Sequence, residues 1–233
     1  MITNTNNFTI LDSEYGNGRN KNVFLATVCI GNKSLNQEQM KHITVLLKSA
    51  AMLTRSHLRF HIITDTDRVP DFINSLTSDW PEEYRKRLSF NYHDATYPPG
   101  AEKGWRPCAT LRLYFPDIFP ELDAAIYLDT DMIFLRSPED LWNEFSHFND
   151  MQIAAMGPSN HWKTINQYKI PYYPPGGINS GLILMNMTRM RQIYLGIPGA
   201  DPGWSSAMTK ISVNYKNRLI LFDNDIFNIF FNQ

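Results

Sequence analysis

The sequence predicts an α/β domain with a parallel or mixed sheet between helices. Six short apolar runs, NVFLATVCI, LRFHIIT, AAIYLD, MQIAAM, GLILMNM and RLILF, are rich in Val, Ile, Leu and Phe and alternate little. Strands covered on both faces have this composition. The first two runs are joined by NQEQMKHITVLLKSAAMLTR, in which Met40, Ile43, Leu46, Leu47, Ala50 and Leu53 recur at helical spacing, so the chain opens strand, helix, strand. Loops rich in Pro and Gly, ATYPPGAEKG and IPYYPPGGINSG, punctuate the later elements.

Taken in order, residues 1–20 are Asn-, Thr- and Gly-rich without periodicity and read as a flexible lead-in. Residues 21–233 read as one domain, with no internal repeat, low-complexity tract or linker. Further helices are predicted at DFINSL, PEEYRKRL, RPCATLRLYF, SPEDLWNEF and DNDIFNIFF, the fourth with Ser137 as cap and Pro138 as first residue.

The totals narrow the function classes. A chain of 233 residues that is 43% hydrophobic can fill a substantial core. Its 22 basic and 23 acidic side chains nearly cancel, and no stretch concentrates Lys or Arg enough to track a polynucleotide. No nucleic-acid partner is expected, and no apolar run is long enough to cross a bilayer. Cys29 and Cys108 sit in apolar surroundings, where a buried free thiol is the ordinary outcome. Sequons stand at Asn7, Asn32 and Asn186. The last follows an apolar strand, so Asn186 and Thr188 read as a helix cap rather than a glycan site.

The triplet Asp-Thr-Asp occurs twice. In HIITDTDRVP, Asp65 and Asp67 run into Arg68 and a proline, which reads as a turn and cap before the next helix. In AAIYLDTDMIFL the triplet lies between two apolar segments. The chain is expected to stay extended there, with Asp129 and Asp131 on one side. Two carboxylates at the carboxyl end of a parallel strand sit where open α/β sheets bind ligands. A divalent cation would remove their mutual repulsion, and hard oxygen ligands suit Mg²⁺ or Mn²⁺. Spacing alone leaves this reading level with a solvated acidic turn.

Context separates the two readings. YLDTDMIFLRSPEDLW resembles the metal-binding segment of retaining glycosyltransferases of family 8, the glycogenin and galactosyltransferase group, and RPCATLRLYFP, MQIAAMGP, INSGLILMNMTRMR and FDNDIFNIFF continue the resemblance in order. Within the family the pattern of QIAAM, PYY and NSG before LMNMTRMR is most similar to the animal glucoside xylosyltransferases. The resemblance implies the Rossmann-like GT-A fold of nucleotide-diphospho-sugar transferases. It implies an enzyme that uses UDP-xylose, with Mn²⁺ or alternatively Mg²⁺, to extend O-linked glucose on EGF-like repeats of glycoproteins. It also implies the Golgi or endoplasmic reticulum lumen.

Residue by residue, the resemblance assigns the metal to Asp129 and Asp131. It assigns the nucleotide sugar to Val28, Cys29, Arg112, Asp129, Thr130, Asp131, Asn179, Ser180 and Gly181. Contact with the uracil is expected from about Val28 to Gly31. Without the family match, Arg112 reads as a helix-surface arginine, and Asn179 and Ser180 as part of a tight turn. The catalytic pair is Asp223 and Asn224, where the family has Asp-Gln; the shorter Asn puts position 224 in doubt. The plain reading of that pair is a helix N-cap. Trp105, Trp162, Tyr172 and Tyr173 border the expected cleft and could stack on an acceptor sugar, although aromatic residues are more often core.

The family's third metal ligand, a His in a His-Gly segment, is not found in this sequence, and His161 reads as structural rather than as its substitute. The chain is therefore expected to be truncated at its C-terminus and to lack the membrane anchor of Golgi members. Alternatives are a family member using another UDP-sugar and an inactive UDP-binding fragment. A haloacid-dehalogenase-like phosphatase with Asp129 as nucleophile is disfavoured, because the triplet lies mid-chain with Met132 and Ile133 next.

Overall fold

A computed structural model describes residues 21–29, 37–101, 107–159, 170–192 and 203–232. Strand β1 (Val23–Val28) leads to helix α1 (Gln37–Leu53), β2 (Leu58–Thr64), α2 (Arg68–Ser78), α3 (Glu82–Arg85) and β3 (Leu88–Asp94). Next come α4 (Pro107–Thr110), a 3₁₀ turn over Leu111–Tyr114, α5 (Phe115–Ile118) and β4 (Ala124–Leu128). Helix α6 (Pro138–Trp142) and a 3₁₀ turn over Asn143–His147 precede β5 (Ala154–Pro158) and β6 (Ile178–Asn186). Helices α7 (Met187–Gln192), α8 (Trp204–Tyr215) and α9 (Asp223–Phe231) end the described chain. None of the described helices is long and apolar enough to cross a membrane.

The chain divides into two compact units, the first formed by Met1–Asp94 and Leu122–Gln152, the second by Ala95–Glu121 and Ile153–Gln233. In the first, the strand order is β3-β2-β1-β4 and every pairing is parallel. The chain leaves β1 towards β2 and β3, then returns to place β4 on the other side of β1. The carboxyl ends of β1 and β4 thus form a topological switch point, where open α/β sheets leave a crevice for ligands.

The predicted face of α1 is largely buried: Met40, Ile43, Leu46, Leu47 and Ala50 are in the core, and Leu53 at the end is 38% exposed. Phe24 stacks on Phe60 with centroids 5.4 Å apart and also meets Trp142 and Phe134. Glu139 ties α6 to the turn before β2, accepting bonds from Thr54 Oγ1 (2.5 Å), Ser56 Oγ (2.6 Å) and the Arg55 and Ser56 amides. Burial pushes its carboxyl up, but the combined hydrogen bonds from Ser137, Ser56 and Thr54 outweigh this and hold it down at about 2.

In the second unit β5 and β6 form an antiparallel pair with an irregularity between Met156 and Gly157. Trp204 at the start of α8 is fully buried, donates from Nε1 to the Leu113 carbonyl (2.6 Å) and packs edge-on against Phe230. The pairings are mostly parallel, with one antiparallel pair, as the mixed sheet with helices that the sequence predicts requires.

Several expectations need correcting. RLILF is not a strand; Ile220 and Leu221 give their amides to Asp225 Oδ2 (2.6 and 2.7 Å) instead of to a neighbouring strand. Strand β3 was not predicted because its burial is mixed and its sequence, LSFNYHD, is polar. The helix expected at RPCATLRLYF is broken into α4, a 3₁₀ turn and α5, the last with Pro116 in its first turn. The two cysteines are not free thiols: Cys29 and Cys108 are half-buried and disulfide-bonded. Apolar neighbours predict burial, but oxidation depends on which sulfurs meet in space, which neighbours in sequence do not encode.

Candidate active site

The residues expected at the site fall into two groups, one in each unit. In the first unit, Val28 and Cys29 close β1 and Asp129 follows β4. The register pairing Phe24 with Ile126 and Leu25 with Tyr127 runs these strand ends side by side at the switch point. The chain does not stay extended through the triplet, as the sequence reading expected. It turns, the Met132 amide bonding back to the Asp129 carbonyl at 3.2 Å. Asp129 and Thr130 are half-buried and Asp131 is exposed. The apolar residues that follow form no strand because no partner strand pairs with them: Phe134 is anchored by its amide to Ser49 Oγ (3.1 Å), while Ile133 and Leu135 are 56% and 81% exposed.

Asp129 is oriented by a residue that sequence reasoning missed. Tyr127 Oη donates to Asp129 Oδ1 at 2.6 Å and lies 3.2 Å from Thr27 Oγ1. Two strand ends thus fix one carboxylate oxygen. Asp131 makes none of the hydrogen bonds or ion pairs found among the described residues. The donor set is two hard carboxylates, one braced and one open, flanking a turn at the carboxyl end of a parallel strand, and this chemistry fits a hard divalent cation. At the other triplet, Asp65 and Asp67 lie in the turn before α2 as expected. Asp67 stands at the N-cap but makes no side-chain cap bond.

The second unit holds the other group, joined into one network. Arg112, only 4% exposed, is not a helix-surface arginine. It donates from Nη1 to the Ser180 carbonyl (2.7 Å) and from Nε to the Ala109 carbonyl (2.8 Å), and its Nε lies 3.4 Å from Asp223 Oδ2. Ser180 Oγ donates to the same Asp223 oxygen at 2.9 Å, and the Ser180 amide donates to Asn224 Oδ1 at 2.8 Å. Asn179, exposed at the entry of β6, accepts the Gly181 amide on its Oδ1 (2.8 Å). Gly177 just before it has φ 91°, a conformation that only glycine adopts cheaply, and donates its amide to Tyr173 (2.7 Å).

The Asp223–Asn224 pair is not an N-cap. The capping position of α9 is Phe222, at φ 45° and ψ −88°, and no side chain caps from it. Asp225 reaches back to hold the amides before the helix, so the two preceding polar side chains are released to meet Ser180. Burial pushes the Asp225 carboxyl up, the amides of Ile220, Leu221 and Phe222 oppose this and the Asp223 charge adds to it, leaving it at about 6. Its Oδ1 is buried with no hydrogen-bond partner among the described residues.

Sequence reasoning also missed Asn228 and Tyr97. Asn228, fully buried one turn along α9, accepts the Tyr173 and Ile178 amides and donates to the Ile178 and Asn224 carbonyls (2.8–3.3 Å). Its signal was readable, a second Asn four residues after Asn224 within the apolar run that ends the helix. Tyr97 has its hydroxyl pushed far up, first by burial and further by Tyr114 and the Asp223 charge, against a hydrogen bond with Thr110. Nothing in ATYPPG marks it. Tyr172 is half-buried and Tyr173 is 46% exposed. Gly31, Trp105, His161, Trp162 and the sequons at Asn7 and Asn32 lie outside the described residues. Asn186 is buried and caps α7 as expected, its Oδ1 accepting the Arg189 amide at 3.0 Å.

Comparison with known proteins shows the family and the fold. Glucoside xylosyltransferase 2 of Mus musculus is 33% identical over 219 residues, which cover 90% of this chain and 48% of that protein. The chain thus spans about half the length of the curated relatives it matches. Mouse xyloside xylosyltransferase 1 in its apo form has the same fold, with a TM-score of 0.65 at 18% identity over 90% of this chain and 81% of that one. The galactosyltransferase LgtC, in complex with donor and acceptor sugar analogues, gives a TM-score of 0.64 at 16% identity over 90% and 70%. Residues 8–233 match the family described as glycosyl transferase family 8, and the chain belongs to that family.

Proposed function

We propose that this chain carries the nucleotide-sugar-binding part of a retaining glycosyltransferase that moves xylose from UDP-xylose to O-linked glucose on EGF-like repeats of a glycoprotein. The single observation behind the donor and acceptor is the 33% identity, over 90% of the chain, to a glucoside xylosyltransferase. A lumenal site of action, Golgi or endoplasmic reticulum, is supported by the Cys29 and Cys108 disulfide, since disulfides persist in oxidising compartments.

Asp129 and Asp131 would hold the divalent cation, Mn²⁺ in the first instance and Mg²⁺ as the alternative. Once bound, the cation supplies positive charge to the diphosphate of the leaving UDP. Val28, Cys29 and Thr130 border the same strand ends and serve the nucleotide. In the reaction the C1–O bond to the diphosphate breaks with its electron pair leaving on UDP. The acceptor hydroxyl forms the new bond on the same face of the sugar, and its proton passes to the departing phosphate oxygen. Asp223, with Arg112, Ser180 and the Asn179–Gly181 turn, serves the sugar. The Arg112 guanidinium and the Ser180 hydroxyl fix that carboxylate in one orientation before substrate arrives, so no reorganisation is needed at the moment of reaction.

Calorimetric titration of UDP with and without Mn²⁺ tests the reading, followed by donor hydrolysis across a panel of UDP-sugars. Metal should tighten UDP binding at least tenfold, and Asp131→Ala should remove that gain. UDP-xylose should be the preferred donor. Binding indifferent to metal would end the transferase reading, and preference for a hexose donor would leave the family reading but move the substrate.

A further inference from the structure

Helix α9 spends three of its polar side chains on the entry of β6. Asp223 takes the Ser180 hydroxyl, Asn224 the Ser180 amide, and Asn228 the Ile178 amide and carbonyl. Two residues of the strand entry, Ile178 and Ser180, are therefore fixed by one helix. The orientation of the Asn224 amide follows from chemistry. A backbone N–H needs an acceptor, so the carboxamide oxygen must face Ser180 and the NH₂ must face away. Its oxygen is thereby spent on the protein. Its nitrogen makes none of the hydrogen bonds found among the described residues.

We infer that Asn224 is a positioning residue that acts through Ser180. By holding the Ser180 amide it sets the Ser180 carbonyl and hydroxyl, the two groups that orient Arg112 and Asp223. What it offers a bound ligand is an N–H donor, suited to a sugar hydroxyl or ring oxygen, and not a lone pair aimed at an electron-poor carbon. The inference rests on the proposed reading only for the identity of that ligand. The contact itself lies within the second unit.

Three variants test it. Asn224→Asp keeps an acceptor at the same reach, Asn224→Ala removes it, and Asn224→Gln carries the carboxamide one methylene too far. Backbone amide exchange of Ser180, read by NMR on the full chain, should speed up at least tenfold in Asn224→Ala and Asn224→Gln and be slowed again in Asn224→Asp. Turnover of UDP-xylose should fall more than tenfold in kcat for Ala and Gln, with KM for the donor moving less than threefold. Asp should restore at least a third of the wild-type kcat.

Unchanged exchange at Ser180 in the Ala variant would overturn the inference. So would a rise in kcat for Asn224→Gln, or loss of turnover in Asn224→Asp with Ser180 still protected, because either would put the amide on the reacting sugar. If the wild-type chain turns over no UDP-sugar, the proposed function fails, while the exchange measurements still decide the role of Asn224.

Discussion

Asp131 and Asp223 are both proposed to meet a ligand, yet their surroundings are opposite. Asp131 is exposed on a turn and makes no hydrogen bond among the described residues. Asp223 is 5% exposed, takes the Ser180 hydroxyl at 2.9 Å and lies beside the Arg112 guanidinium. The difference follows from what each would meet. A carboxylate meant for a cation gains nothing from a protein cation beside it, which would compete with the ligand. A carboxylate meant to act at a fixed place on a sugar is better held by its own donors, and burial is tolerable because the charge is paired. On the proposed reading, one region would be left open for its partner, and the other completed in advance.

The comparison breaks most sharply under paired substitution. Asp223→Ala leaves Arg112 buried beside Ala109 and Ser180 without its carboxylate, and should cost about 3–5 kcal/mol of stability in urea unfolding. Asp131→Ala touches an exposed turn and should change stability by less than about 0.5 kcal/mol. Equal costs would mean that the second region is not organised in advance.

Asn228→Ala sharpens the same contrast without touching a charge. It strands the amides of Tyr173 and Ile178 and frees the loop that presents Asn179 and Ser180. Each buried unpaired group costs about 1–3 kcal/mol, and partial access to water should bring the total to about 2–3 kcal/mol in the same unfolding measurement. A cost under about 1 kcal/mol would show that the loop is held by other contacts.

How much of this was legible depends on whether one segment carried the signal. Runs of Val, Ile and Leu located β1, β2, β4 and β6, because strands buried on both faces cannot be polar, whereas β5, the half-buried AAMGP, was located by the apolar run MQIAAM. Strand β3 carries Asn91 and His93, and no apolar run announces it. RLILF misled for the converse reason: its apolar side chains suit a strand, but the Asp225 carboxylate, three to five residues on, takes the amides that a strand would need. The acid turn was noticed by spacing and singled out by resemblance, although its local shape was wrong, since two apolar flanks do not guarantee an extended chain between them. Arg112, Ser180, Asp223 and Asn224 were each named, but from resemblance. Their mutual contacts join positions 112, 180 and 223, and no local pattern encodes that. Tyr127 and Tyr97 could not be chosen among 11 tyrosines without coordinates.

The two units should also answer acid with opposite signs. His61 on β2 is 5% exposed and stacked on His93 at 5.0 Å, with Nδ1 2.9 Å from His93 Nε2. Burial, then His93 and Arg59, lowers it to about 4. Its folded value lies below the unfolded 6.5, so the unfolded chain takes up the proton first. Acidification from pH 7 to 5 should therefore remove about 2 kcal/mol of stability at this site.

Asp225 is shifted the other way, with a folded value of about 6 above the unfolded 3.8. The folded form takes up the proton first, so the cost of its buried charge, full at pH 7, is relieved as pH falls through 6. The same acidification should return about 1 kcal/mol. Amide exchange at pH 5 and pH 7, corrected for intrinsic rates, should show β2 and β3 loosening while α9 tightens. His61→Gln should flatten the first response, and Asp225→Asn, which keeps an acceptor for the Ile220 and Leu221 amides, should flatten the second. If β2 and α9 instead move together, the units unfold as one cooperative body, and the separate organisation of their two aspartates is not matched by separate stability.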